Sequence, residues 1–80
     1  MDLTLVKEGK YRIIGIQGGY NLLKKLEKIG IREGVEIVKI TSEFATGPVV
    51  IQVGNTELAI GHGMAKKIIV EKIEWEKFYL

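Results

Sequence analysis

Residues 49–70 read VVIQVGNTELAIGHGMAKKIIV, and this stretch decides the fold class. Val49, Ile51 and Val53 fall on one face of an extended segment, with Gln52 on the other, which is the two-residue period of a strand. Gly54-Asn55 follows as a two-residue connection, and both residue types tolerate positive φ, so a tight hairpin is expected. Thr56 to Ile60 then makes the returning strand. Gly61-His62-Gly63-Met64-Ala65 reads as a compact turn, expected as a short 3₁₀ turn near Met64. Ile68 to Ile73 supplies a further strand.

Working toward the N-terminus, Val35 to Thr41 reads as a long strand. Val35 and Ile37 share one phase, Val38 and Ile40 the other. Keeping all four inward requires a phase slip between Ile37 and Val38, at a bulge or bend. Upstream lies one helix, opening at Leu22 and closing at Ile29. Leu22, Leu26 and Ile29 recur at helical spacing beside Leu23. Asn21 is the expected N-cap. Gly30 sits where a left-handed C′ residue belongs, with Ile31 as C″ touching Leu26. Tyr11 to Ile16 is the first strand, and Gly15 within it signals a bulge. Residues 42–48, SEFATGP, form a loop centred on Phe44. Residues 73–80 form an aromatic tail carrying Trp75, Phe78, Tyr79 and Leu80.

Composition agrees with a mostly β chain. Twelve Ile and seven Val stand against seven Leu in 80 residues, and β-branched side chains suit a pleated sheet. Short strands joined by tight turns leave edges that curling into a barrel removes. The expectation is one domain over residues 1–80: a small SH3-like barrel of five or six short strands with one inserted helix. Ile13, Leu26, Ile37, Ile51, Leu58, Ile68 and Val70 are the predicted core.

Several function classes drop out. No cysteine is present, which removes disulfides, thiolate metal sites and a cysteine nucleophile. The net charge of +2 is too near neutral for a nucleic-acid face, and no aromatics interleave with Lys or Arg on a strand pair as a single-strand binder needs. No apolar run approaches a membrane span, so no direct membrane insertion is expected and the cytoplasm is the expected compartment. Residues 61–66, GHGMAK, begin like a dinucleotide fingerprint but lack its third glycine and any surrounding βαβ unit. No catalytic set emerges, and an enzyme is not expected. His62, flanked by glycines, is the single candidate metal ligand, and a divalent ion such as Fe2+ or Zn2+ would need ligands from a second chain. The basic cluster Lys24, Lys25 and Lys28 reads as a solvated helix face. The aromatic tail makes the strongest demand. Trp75, Phe78, Tyr79 and Leu80 need an apolar partner, either their own barrel or another chain. They are therefore predicted as partner-binding residues together with Phe44, and a homo-oligomer is expected.

Beyond these readings, the chain resembles the ferrous iron transport protein A (FeoA) family over residues 3–71. The resemblance rests on LTLVKEGKYRIIGIQGG, LLKKLEKIGIREGVEI and GPVVIQVGNTELAIGHGMAKKIIV. Within them, the family's L-x-x-[LI]-G-[LIM]-x-x-G falls on residues 26–34. Gly-Pro falls on Gly47-Pro48, L-A-[LI] on Leu58-Ala59-Ile60, and A-x-x-I-x-V on Ala65, Ile68 and Val70. The chain departs from the pattern at His62 and in the aromatic tail. The resemblance implies an SH3-like barrel and a non-enzymatic cytoplasmic role in ferrous iron uptake, exerted on the cytoplasmic portion of the membrane transporter FeoB. A related barrel closes metal-dependent repressors of the diphtheria-toxin-repressor type, which implies an alternative: a small divalent-metal-binding or metal-responsive module. The family motif carries no fixed ligand set, so no metal site transfers with it.

Overall fold

A computed structural model describes residues 1–41 and 47–73. Five strands appear: β1 (Gly9–Ile16), β2 (Glu36–Lys39), β3 (Val49–Val53), β4 (Thr56–Ile60) and β5 (Ile68–Lys72). Helix α1 (Tyr20–Lys28) joins β1 to β2, and α2 (His62–Ala65) joins β4 to β5. The strands form one sheet in the order β4-β3-β2-β1-β5, with every neighbouring pair antiparallel. This is the expected SH3-like arrangement, with five strands.

The inward face of the sheet collects Tyr11, Ile13, Ile37, Val49, Ile51, Ile60, Ile68 and Val70, all buried. Leu26 and Ile31 cover it from α1 and its exit, and Leu3 and Ala65 complete the core. Six of the seven predicted core residues are buried. Leu58 is the exception: it is half-buried and packs on the core from its margin, on β4, which among the described residues is an edge strand.

The phase slip occurs in a different strand from the expected one. In β2 the alternation is unbroken: Ile37 and Lys39 are buried, while Glu36 and Val38 face out. Val38 is 38% exposed and Lys39 only 3%. The slip lies in β1, at the bulge that Gly15 signalled. Ile13 pairs with Val70 and Gly15 with Ile69, leaving Ile14 as the extra residue. Past it the phase inverts, so Ile16 packs against the core and Ile14 stands 44% exposed.

Helix α1 starts earlier than expected. Gly19 is the N-cap, without a side-chain cap, and its carbonyl accepts from the amides of Leu22 and Leu23 at 3.1 and 3.2 Å. Asn21 therefore lies inside the first turn and caps nothing. The other end is as expected. Gly30 has φ +86°; its amide donates to Glu27 O at 3.0 Å and that of Ile31 to Leu26 O at 2.9 Å. These two bonds are the Schellman pair. Ile29 stays exposed, since the helix rests on Leu22 and Leu26. In the β3–β4 hairpin Gly54 alone has positive φ, the pattern of a type II′ turn. The turn near Met64 is one turn of α-helix rather than 3₁₀: Ala65 and Lys66 donate to carbonyls four residues back, Gly61 O and His62 O.

Leu26 is fully buried, so Leu26→Ala should cost about 2–5 kcal/mol in denaturant unfolding. Gly30→Ala should cost about 1–2 kcal/mol. A Cβ there meets Val53 Cγ1 at an ordinary 3.6 Å, so the loss reports backbone strain. An unchanged midpoint for Gly30→Ala would show that the left-handed turn relaxes without penalty.

Candidate functional site

Residues 1–8 form a strap along the outer edge of β5. The amide of Val70 donates to Met1 O at 2.8 Å, and the amide of Leu3 to Ile68 O at 2.9 Å. Asp2 bridges to Ile69. The carboxylate of Asp2 accepts from the Thr4 amide at 2.8 Å and from the Thr4 hydroxyl, and this turns the strap away from the edge after Leu3. Among the described residues its next carbonyls pair with no strand, and two side chains of the sheet's inward face supply the donors. Lys39 Nζ donates to Leu3 O at 2.9 Å and to Val6 O at 2.7 Å. Tyr11 Oη donates to Lys7 O at 2.8 Å.

The Lys39 ammonium is thus an internal fastener. Burial lowers its pKa below the ordinary 10.5, while the carboxylates of Asp2 and Glu8 act in the opposite sense. Two carbonyl acceptors and two nearby carboxylates are the conditions under which a buried cation is tolerated.

Between the strap, β1 and β5 lies an open groove of about 600 Å³. Met1, Leu5, Val6, Tyr11, Ile14 and Val70 give it an apolar lining. Lys7, Glu8, Glu71 and Lys72 rim it, balanced in charge. Met1 is 69% and Leu5 64% exposed. These two and the bulged Ile14 gather large apolar side chains at one corner of the molecule. Beside the groove, Arg12 spans the outer sheet face between Glu36, at 3.6 Å, and Glu71, at 3.3 Å. These pairs are exposed and contribute little to stability. A smaller cleft of about 250 Å³ lies along α1, lined by Ile16, Leu23, Glu27, Ile31, Arg32 and Glu33. On the same helix Lys24 sits over the ring of Tyr20, 5.4 Å from its centroid.

His62 opens α2, half-buried, with Nδ1 shielded from solvent and without a hydrogen-bond partner. Among the described residues no three His, Cys, Asp or Glu side chains converge on a point that could hold a metal. Phe44, Trp75, Phe78, Tyr79 and Leu80, predicted to bind partners, lie outside the described residues. The groove itself was not anticipated from the sequence.

The FeoA domain model matches residues 1–72. The chain belongs to the FeoA family. An Fe(2+) transport protein A of Methanocaldococcus jannaschii is 35% identical over 74 residues, covering 91% of this chain and 88% of that protein. The crystal structure of an iron uptake regulatory protein, FeoA, superposes with TM-score 0.80 at 34% identity, over 91% of this chain and 96% of that one. The repressor ScaR with bound Zn2+ gives 0.82 at 27% identity, and there the match spans 91% of this chain but 37% of ScaR. Membership of the FeoA family implies an accessory role in ferrous iron transport. Among the described residues no helix is long and apolar enough to cross a membrane.

Replacing Lys39 by Met keeps the stem and removes the donor. The strap carbonyls then lose their partner, at a cost of about 1–3 kcal/mol. The strap should loosen first, seen as faster hydrogen exchange at the Leu3 amide than at the β1–β2 amides. The pH dependence has a definite sign. Between the lowered folded-state pKa and 10.5, the unfolded chain holds a proton that the folded chain releases, so stability should rise with pH over that window. Lys39→Met should abolish that rise. A variant as stable as the parent, with Leu3 equally protected, would show that apolar packing alone holds the strap.

Proposed function

We propose that this FeoA-family protein is a non-enzymatic, cytoplasmic accessory protein of ferrous iron uptake. It acts by direct contact with the cytoplasmic portion of the membrane ferrous iron transporter, FeoB. The observation that carries this reading is the groove. Met1, Leu5 and Ile14 are exposed together beside a cleft of about 600 Å³, and clustered apolar surface with a polar rim is what a protein-docking site requires. The matched relatives, an Fe(2+) transport protein A and an iron uptake regulatory protein, supply the biological setting.

The test is a titration of the full chain against the isolated cytoplasmic domain of the transporter. Leu5→Asp places a charge at the centre of the groove on a side chain the core does not use. It should weaken binding at least about tenfold, equivalent to about 1.4 kcal/mol, with an unchanged melting temperature. Lys24→Ala, on the far helix face, should leave binding intact. Equal affinity for parent and Leu5→Asp would place the contact elsewhere on the molecule.

A second reading has its own observation. ScaR, solved with bound Zn2+, shares this domain's fold, and His62 Nδ1 is a shielded nitrogen without a partner. A protein that holds a divalent ion would bind Fe2+ or Zn2+ stoichiometrically in calorimetry and lose that binding in His62→Ala. An accessory protein acting by contact alone would show no such site.

A further inference from the structure

The two edges of the sheet are finished differently. The β5 edge is covered from Ile68 to Val70 by the strap. At the other edge lies β4, which among the described residues pairs with β3 alone, in an unbroken register from Val49↔Ile60 to Val53↔Thr56. The direction of its backbone groups follows from β3. Val50 O accepts from the Ile40 amide at 2.9 Å, and the Val50 amide donates to Thr41 Oγ1 at 3.2 Å, so Val50 turns both groups toward β2. Backbone groups alternate sides along a strand. Val49, Ile51 and Val53 therefore turn theirs toward β4, and their partners Ile60, Leu58 and Thr56 turn back to β3. Glu57 and Ala59 are left with amides and carbonyls aimed outward. Both residues are exposed, and among the described residues nothing pairs with these groups. We infer that this edge is a self-association site, at which β4 pairs antiparallel with β4 of a second copy across a two-fold axis at Leu58.

Charge and hydrogen bonding select that register. Residues that exchange both bonds across a new pair must be outward-facing in both copies. A two-fold centred on Glu57 sets its carboxylate directly opposite the same group, and like charges there destabilise a strand pair. A two-fold centred on Ala59 sets Glu57 opposite the partner's Gly61, which is already turning into α2 and whose carbonyl accepts from Ala65 at 2.9 Å. The two-fold centred on Leu58 sets Glu57 opposite the partner's Ala59 and Ala59 opposite the partner's Glu57. Every outward amide and carbonyl of both copies then has a partner, and the small Ala59 leaves room for the Glu57 side chain. Leu58 lies on the axis, in a non-hydrogen-bonded pair whose Cα atoms stand about 4.5 Å apart with side chains at their closest. Half-buried at the core margin, it meets its copy there. The edge is thus self-complementary in bonds, charge and apolar contact, which commits it to a second copy of this chain. Edges that must stay unpaired carry proline, bulges or inward-pointing charges, and β4 has none of these. No residue of β4 lines the groove, so the pairing leaves the groove of each copy open.

Sedimentation of the full chain should show a monomer–dimer equilibrium, with dimer present at concentrations on the order of 100 µM. Ala59→Pro removes an outward amide and leaves the β3–β4 bonds in place, since proline is tolerated on the open side of an edge strand. It should raise the dimer dissociation constant at least about tenfold, with far-ultraviolet dichroism unchanged. The chain has no cysteine, so single-cysteine variants read the register directly and decide the matter if Ala59→Pro fails to fold. Leu58→Cys brings two thiols together across the axis, within the Cα separation of about 4.4–6.8 Å that a disulfide spans, and should cross-link under mild oxidation. Glu57→Cys, offset from its copy along the strands, should not. A parent that stays monomeric at that concentration would overturn the inference. So would a dimer that a folded Ala59→Pro variant forms as tightly, or cross-linking as fast through Glu57→Cys as through Leu58→Cys. A monomer whose Glu57 and Ala59 amides resist hydrogen exchange would overturn it in favour of cover from the same chain. Because no transporter is present, these outcomes are independent of whether the groove binds FeoB.

Discussion

One ammonium group holds together two parts of the molecule that share no continuous strand pairing. Lys39 enters from the inward face of β2 and satisfies carbonyls at both ends of the strap's middle, Leu3 O and Val6 O. Burying a cation is costly, and the cost is offset only where the hydrogen bonds are good and opposite charge is near. Here the acceptors lie at 2.9 and 2.7 Å, and Asp2 and Glu8 act on the charge from the strap itself. The strap therefore brings with it the conditions that let Lys39 remain inside. Neither half of this arrangement is stable alone. A strap without the lysine has buried carbonyls lacking donors, and a lysine without the strap is an unpaired charge facing a hydrophobic core.

That mutual dependence sets the shape of the surface. With Leu3 O, Val6 O and Lys7 O all turned toward donors on the sheet, the strap's orientation about its own axis is fixed. Leu3 goes into the core and Leu5 faces out. The groove is the space left between a strap held at these points and a sheet edge it follows only as far as Leu3. Its far side is made by the β1 bulge, which turns Ile14 outward beside it.

The strands, the helix and the Schellman ending were legible because each has a local cause. Alternation marks β3, left-handed glycine marks Gly30 and Gly54, and Gly15 marks the bulge. Lys39 was not legible, because apolar periodicity favours the hydrophobic neighbour. Reading Val38 and Ile40 as inward required inventing a slip in β2, whereas unbroken alternation from Val35 through Ile37 places Lys39 inside. The usable signal was that continuity. The N-cap was missed because a side-chain cap at Asn21 looks stronger than a bare Gly19. The groove was beyond sequence reading altogether, since it depends on residues 1–8 meeting residues 70–72 through long-range pairing.

The identity of the groove residues carries a last consequence. Leu3, Ile13 and Leu26 are required to be apolar because they are fully buried. Leu5 and Ile14 are under no such requirement. The strap is fixed by backbone carbonyls, which any residue at position 5 would present equally, and a bulge's extra residue pairs with nothing across the ladder. Polar side chains at both positions would satisfy the fold, because a side chain left largely in water on folding contributes little burial energy. Folding therefore explains why these two positions are exposed but not why they are leucine and isoleucine. The proposed contact with a partner's apolar surface would supply the missing reason.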